Sequence, residues 1–364
     1  MRLTKRGYIL MKKNIWRKLT AVVLVAVMVA LSVTSVDIRV EAATSTPVAT
    51  HGRLSVKGPD IVDAKGRKFQ LRGISTHGIN WDVGYPFVNK GAFKTLRDDW
   101  GANAIRLSMY TAEYNGYCSG GDKAALRNRI YKGVKYATEL GMYVIIDWHI
   151  LNDGNPLSQV TQAKYFFATM AKKYYKQKNI IYEICNEPNG CSWKDIKSYA
   201  NQVIKVIRKY DKNAIIAVGT PTWSQLGSDG THNEVADSPI TGYKNIMYSL
   251  HFYANEWSHN KYLPAKLAYA RKRGVPVIVT EFGMSAASGD GGISVENTKK
   301  WMTRLNNANV SYFCWSLSNK NESCSLLAST TKKTYGWTKS QLSLTGRYIR
   351  YFYRARRKAL GARA

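Results

Sequence analysis

Eight short apolar, β-branched runs recur along this chain, separated by amphipathic stretches. They are Phe69–Thr76, Ala104–Tyr110, Tyr143–His149, Ile180–Glu187, Ile215–Thr220, Ile246–Tyr253, Val275–Glu281 and Ser311–Leu317. Each is continuous rather than alternating, as strands covered on both faces require. Between them, Lys123–Leu140 sets Ala125, Leu126, Ile130 and Val134 opposite Arg127, Arg129, Lys132 and Lys135, the period of a helix with one buried face. Trp193–Tyr210 and Ser294–Asn306 behave similarly. Gly141, Gly274 and Asn309 follow helical stretches where a left-handed cap is expected. Strands alternating with helices make a parallel sheet. Eight such units predict an α/β fold, a single (β/α)8 TIM barrel over residues 53–360. A doubly wound sheet fits less well, because no glycine-rich phosphate loop follows the first run.

Residues 1–43 read as an export signal. Lys5, Arg6, Lys12, Lys13, Arg17 and Lys18 precede the uncharged run Ala21–Val33, and Val40 and Ala42 are the small residues needed for cleavage after Ala42. The apolar run has 13 residues, short of the ~20 that a spanning helix needs. Residues 44–52 read as a linker. The mature chain is therefore expected to be exported, soluble and free of the membrane; a monomer is expected as well.

The chain carries 54 Lys and Arg against 24 Asp and Glu, a formal charge of +30. Such a charge can attract polyanions. The basic residues are spread along the chain, however, dense only over Arg347–Arg363, and no compact recognition motif accompanies them, so nucleic acid is not an expected partner. Five cysteines remain, Cys118, Cys185, Cys191, Cys314 and Cys324. Their odd number excludes a full disulfide framework, and their spacing fits no metal knuckle. Cys185 and Cys314 lie in apolar runs and read as buried small hydrophobes.

The polar residues fall at particular places. Arg106 lies within the second run, His149 ends the third, Asn186 and Glu187 end the fourth, and His251 and Tyr253 close the sixth. Glu281 ends the seventh, and Trp315 lies within the eighth. A single strand-end histidine is usually structural. Six strands delivering such groups toward one end of a barrel point instead to its C-terminal face, where active sites are built. The fourth and seventh strands oppose each other across the barrel, so Glu187 and Glu281 can approach. Paired carboxyl groups are what glycosidic cleavage requires: one protonates the leaving oxygen while the other attacks or activates water. A metal site at His251, Glu256 and His259 lacks the His-Glu-x-x-His spacing of a helical zinc motif, because His251 lies five residues before Glu256, and neither metal nor cofactor is expected.

These residues also sit in recognisable motifs. Ile181-Tyr182-Glu183-Ile184-Cys185-Asn186-Glu187-Pro188-Asn189-Gly190 resembles the acid/base signature of glycoside hydrolase family 5, and Val279-Thr280-Glu281-Phe282-Gly283 its nucleophile strand. Gly73–Gly78, Ile105–Tyr110, Asp147–His149, His251–Tyr253 and Trp315–Glu322 match in the same order. The resemblance spans roughly Arg53 to Tyr353 and is closest to the bacterial endoglucanases. It implies a retaining endo-β-1,4-glucanase acting on a β-glucan polysaccharide, with Glu187 as acid/base and Glu281 as nucleophile. It further implies that Asn186 holds the sugar 2-hydroxyl, that Arg106 and Tyr253 bind Glu281, and that His251 contacts Glu187. By the same resemblance His149 binds sugar hydroxyls and Trp315 forms the floor of the reacting site. His77, Trp81, Lys320 and Glu322 look like glycone contacts, and Trp223 like the aglycone platform. Trp100, Trp148, Trp193 and Trp301 are left to packing. Cys185, Phe282 and Met284 depart from the usual pattern but keep small or apolar groups behind the catalytic residues. The same chemistry on mannan, xylan or mixed-linkage glucan is an alternative. So is a non-catalytic carbohydrate-binding wall protein, which the presence of both glutamates disfavours.

Overall fold

A computed structural model of the chain describes residues 45–227 and 232–361. The expected export signal lies outside the described residues. Eight parallel strands close a barrel in sequence order, the last pairing with the first. They are Arg72–Thr76, Ala104–Tyr110, Tyr143–His149, Ile180–Glu183, Ile215–Val218, Ile246–Tyr253, Val277–Gly283 and Tyr312–Leu317. The fourth stops at Glu183, short of the expected Glu187, because the chain then leaves the ladder. Asn186 and Glu187 instead donate their backbone N–H groups to the carbonyls of Trp148 and Ile150.

Side-chain alternation sorts each strand into two sets. Ile105, Leu107, Val144, Ile146, Ile216, Val218, Val277 and Val279 face outward into the layer shared with the helices. Ala104, Ile145, Ile181, Ala217, Met247, Ile278 and Phe313 fill the barrel interior. Strands buried on both sides explain why the runs read as continuous rather than alternating. The helices bury single faces: Trp193–Tyr210 covers Ile196, Tyr199, Ala200, Val203, Ile204 and Ile207, and starts in a capping box between Ser192 and Asp195. Gly141, Gly274 and Asn309 adopt φ of 63°, 74° and 51°, the left-handed caps expected of them. Among the described residues no helix is long and apolar enough to cross a membrane.

The segment expected as a linker is instead partly structured. Pro47–His51 is helical, with Thr46 accepting from the backbone N–H of Ala49 and Pro47 opening the first turn. His51 is buried against Phe69 and bonds Asp63 at 3.1 Å. An antiparallel pair, Ser55–Lys57 with Asp60–Val62, follows. Its flanking Leu54 and its Ile61 join the interior cluster, so this hairpin plugs the N-terminal end of the barrel.

Candidate active site

Within the barrel, the apolar lower layer gives way to polar groups two residues further along the same faces. Above Ala104 stands Arg106, above Ile145 Asp147, above Ile181 Glu183, and above Met247 Ser249. All four are fully buried. Arg106 is their hub: Nε donates to Glu183 at 2.7 Å, Nη1 to Glu281 at 2.9 Å and Nη2 to Asn186 Oδ1 at 2.6 Å. Nη2 also lies 3.0 Å from Asp147. A buried cation with this many acceptors stays charged, since Asp147, Glu183 and Glu281 outweigh the penalty of burial.

Glu281 reaches this hub through a β-bulge. Its strand pairs Ile278 with Ser249 but Glu281 with His251, so three steps on one strand match two on the other. The extra residue turns Glu281 inward, where strict alternation from Ile278 would put Thr280 instead. Thr280 Oγ1 is used nearby, 2.8 Å from His251 Nε2.

The two glutamates meet at the top. A carboxylate oxygen of Glu187, one of Glu281 and a ring nitrogen of His251 lie within 4.8 Å of one another. Their environments pull in opposite directions. Burial raises the Glu187 carboxyl above its ordinary range, reinforced by Glu281 and only partly offset by His251. Burial would also raise Glu281, but His251 and Arg106, with the Tyr253 hydroxyl donating at 2.6 Å, hold it below that range. His251 Nδ1 contacts Glu187 at 2.8 Å. Although burial disfavours its charge, Glu183 and Glu187 lift its pKa to about 9. A doubly protonated imidazole has no lone pair for a metal, which disfavours a cation bound by these three groups.

Asn186 and His149 complete the inner ring. Asn186 Nδ2 donates to the carbonyl of Ile150 at 3.0 Å and lies 3.3 Å from His149 Nε2. His149 Nδ1 bonds Asp147 at 2.6 Å, and burial lowers its pKa to about 3. Both nitrogens are thus occupied, and the ring stacks on Trp315 at 5.2 Å. His149 thereby braces Asn186 and Trp315 at the base of the site.

A second group extends the mouth on the side of strands one and eight. Trp315 and His77 approach to 5.2 Å between ring centroids, and His77 lies 3.8 Å from Glu322, which Lys320 meets at 2.5 Å. Burial and the Lys320 charge lower the His77 pKa to about 3, leaving it neutral. Trp81 packs 4.6 Å from Tyr110, its Nε1 donating to the carbonyl of Tyr114. On the far side, Trp223 stands 46% exposed. Its N–H donates to the carbonyl of Pro188, and the adjacent Ser224 Oγ donates to that of Asn186. Thr222, Trp223 and Ser224 all have φ between 53° and 60°, a strained run for residues with side chains. These bonds to the Asn186–Pro188 segment hold it, tying Trp223 to the backbone beside Glu187. Trp100, Trp148, Trp193 and Trp301 are buried, as expected of packing residues.

Sequence reasoning missed Glu183, Asp147 and Tyr110 as members of the site. The two-residue period of a strand was the available signal, since Glu183 shares a face with Ile181 and Asp147 with Ile145 and His149.

Comparisons with known proteins agree with this geometry. A family model described as cellulase, glycosyl hydrolase family 5, matches residues 62–321. Endoglucanase 5 of Pectobacterium carotovorum subsp. carotovorum is 43% identical over 348 residues, covering 95% of this chain and 65% of that protein. Endoglucanase N of Pectobacterium atrosepticum is 42% identical, covering 95% of this chain and 74% of that protein. The crystal structure of the catalytic domain of a Thermobifida fusca endoglucanase superposes with a TM-score of 0.80 at 36% identity, covering 85% of this chain and 99% of that one.

Proposed function

The chain belongs to glycosyl hydrolase family 5, and from that premise we propose that it is a secreted endo-β-1,4-glucanase that cleaves internal bonds of cellulose and related glucans with retention of configuration. The observation that carries this reading is the approach of the Glu187 and Glu281 oxygens to within 4.8 Å. Carboxyl groups about 5–5.5 Å apart suit direct attack on the sugar, whereas inversion needs about 6.5–9.5 Å to admit a water.

Glu187, its carboxyl raised by burial, carries the proton that goes to the departing glycosidic oxygen. Glu281, kept ionised by His251 and Arg106, attacks the anomeric carbon as that bond breaks, giving a glycosyl–enzyme ester. Glu187, now a carboxylate, takes a proton from water. The resulting hydroxide displaces Glu281 and frees the sugar with its original configuration. Arg106 and Tyr253 aim the nucleophile, Asn186 holds the 2-hydroxyl of the reacting sugar, and Trp315 lies beneath it. The glycone runs toward Trp81, His77, Lys320 and Glu322, and the leaving chain toward Trp223.

Initial rates on carboxymethylcellulose, lichenan, mannan and xylan test the substrate assignment. Carboxymethylcellulose should be cut well ahead of mannan and xylan. Dominant mannan or xylan hydrolysis would overturn the glucanase reading while leaving the retaining chemistry in place.

A further inference from the structure

Among the described residues two tryptophans are exposed, Trp223 and Trp257, the latter with 66% of its surface in water. They follow neighbouring barrel strands, the fifth and the sixth. Trp257 opens the helix Trp257–Lys272, four residues beyond Tyr253, whose hydroxyl holds Glu281. The intervening chain has no room to leave the rim. His259 folds back so that its Nδ1 accepts the N–H of Tyr253 itself at 2.9 Å. Residues 254–258 therefore form a tight loop over the residue that grips the nucleophile.

A second set of bonds ties this loop to the one after the seventh strand. Asn255 N donates to the carbonyl of Ser285 at 2.9 Å, and Asn255 Nδ2 to that of Gly291 at 3.0 Å. Glu256 accepts from the N–H of Ala287 at 3.5 Å. The indole is fixed in its turn. Lys261 Nζ sits 4.5 Å from its centroid, and Tyr262 meets it edge-on at 6.0 Å and 84°.

A large apolar ring held on a catalytic rim and left in water is suited to stacking against the C–H face of a sugar. Its side of the cleft follows from strand order. Glu187, which serves the leaving group, follows strand four, and the leaving half of a bound chain passes onward over strands five and six. The glycone contacts stand on strands one and eight.

We infer that Trp257 is a further aglycone-side platform, stacking a glucosyl unit beyond the one served by Trp223, so that long β-1,4-glucan chains are preferred over short ones. This rests on the glucanase reading. Trp257→Ala removes an exposed side chain, and Trp257→Phe keeps a ring at the same place. The comparison is the ratio of kcat/KM on cellohexaose to that on an aryl β-cellobioside, whose aglycone is too short to reach the ring. Trp257→Ala should lower that ratio roughly fivefold to tenfold, mainly through KM on cellohexaose, and Trp257→Phe should restore most of it. An unchanged ratio in Trp257→Ala, with the wild-type chain active on both substrates, would overturn the platform alone. A wild-type chain inactive on both would overturn the glucanase reading and the platform with it.

Discussion

Replacing His251 by Asn removes a buried cation bonded to Glu187 while leaving a polar side chain of smaller size. The structure sets two consequences. His251 rises from an ordinary 6.5 to about 9 on folding because of Glu183 and Glu187, against the penalty of burial. That rise corresponds to about 3 kcal/mol of stability. Because the folded pKa is the higher one, this contribution is fully present below about pH 6.5 and is lost as pH climbs through about 9. The second consequence is catalytic. Both Glu187 and Glu281 are held down by the His251 charge, so its loss should move both limbs of the pH–rate profile upward by about one unit. Urea unfolding at pH 6 and pH 9.5 measures the first effect: wild type should lose about 3 kcal/mol more than His251→Asn across that window. kcat/KM on an aryl cellobioside from pH 4 to 10 measures the second. Limbs that stay in place, or a basic limb that moves down, would refute the claim that His251 is the charge controlling both carboxyl groups.

Other perturbations separate the remaining parts of the account. Glu187→Gln should lower kcat about 10²–10⁴-fold on cello-oligosaccharides and much less on a dinitrophenyl cellobioside, whose leaving group needs no proton; equal losses on both would argue against general acid catalysis. Glu183→Ala should cost about 3 kcal/mol in urea unfolding at pH 7, because it strips Arg106 and His251 of a fully buried partner. A cost under about 1 kcal/mol would show that the hub does not depend on Glu183. A Cβ at Gly73 would lie 1.9 Å from the Phe313 ring, so Gly73→Ala should destabilise by about 1–3 kcal/mol. Phe313→Leu in the same chain should recover part of that, and no recovery would contradict the overlap as the cause.

Much of the barrel was legible because both strand faces are buried, which leaves β-branched runs with sharp ends. The expected and observed limits coincide for Ala104–Tyr110, Tyr143–His149 and Ile246–Tyr253. Polar residues at the strand ends were equally plain, since a charged side chain closing an apolar run has few structural uses. What stayed hidden depends on contacts between distant segments. The bulge that turns Glu281 inward is a relation between two strands, and neither shows it alone. Glu183 and Asp147 are single charges within apolar runs, and their counter-charge, Arg106, comes from another strand. Pro47–His51 has the composition of a linker, and its order comes from His51 docking on Asp63 and Phe69. Trp257 lies outside the eight runs, and only its return bond through His259 to Tyr253 places it on the rim.

The central claim is that Glu187 and Glu281, with oxygens within 4.8 Å, act as acid/base and nucleophile of a double displacement. Proton NMR of the first product released from a cello-oligosaccharide, recorded before mutarotation, tests it most directly. The account predicts the β-anomer first, decaying to the equilibrium mixture. Initial appearance of the α-anomer would mean a single inverting displacement and would contradict the role assigned to Glu281.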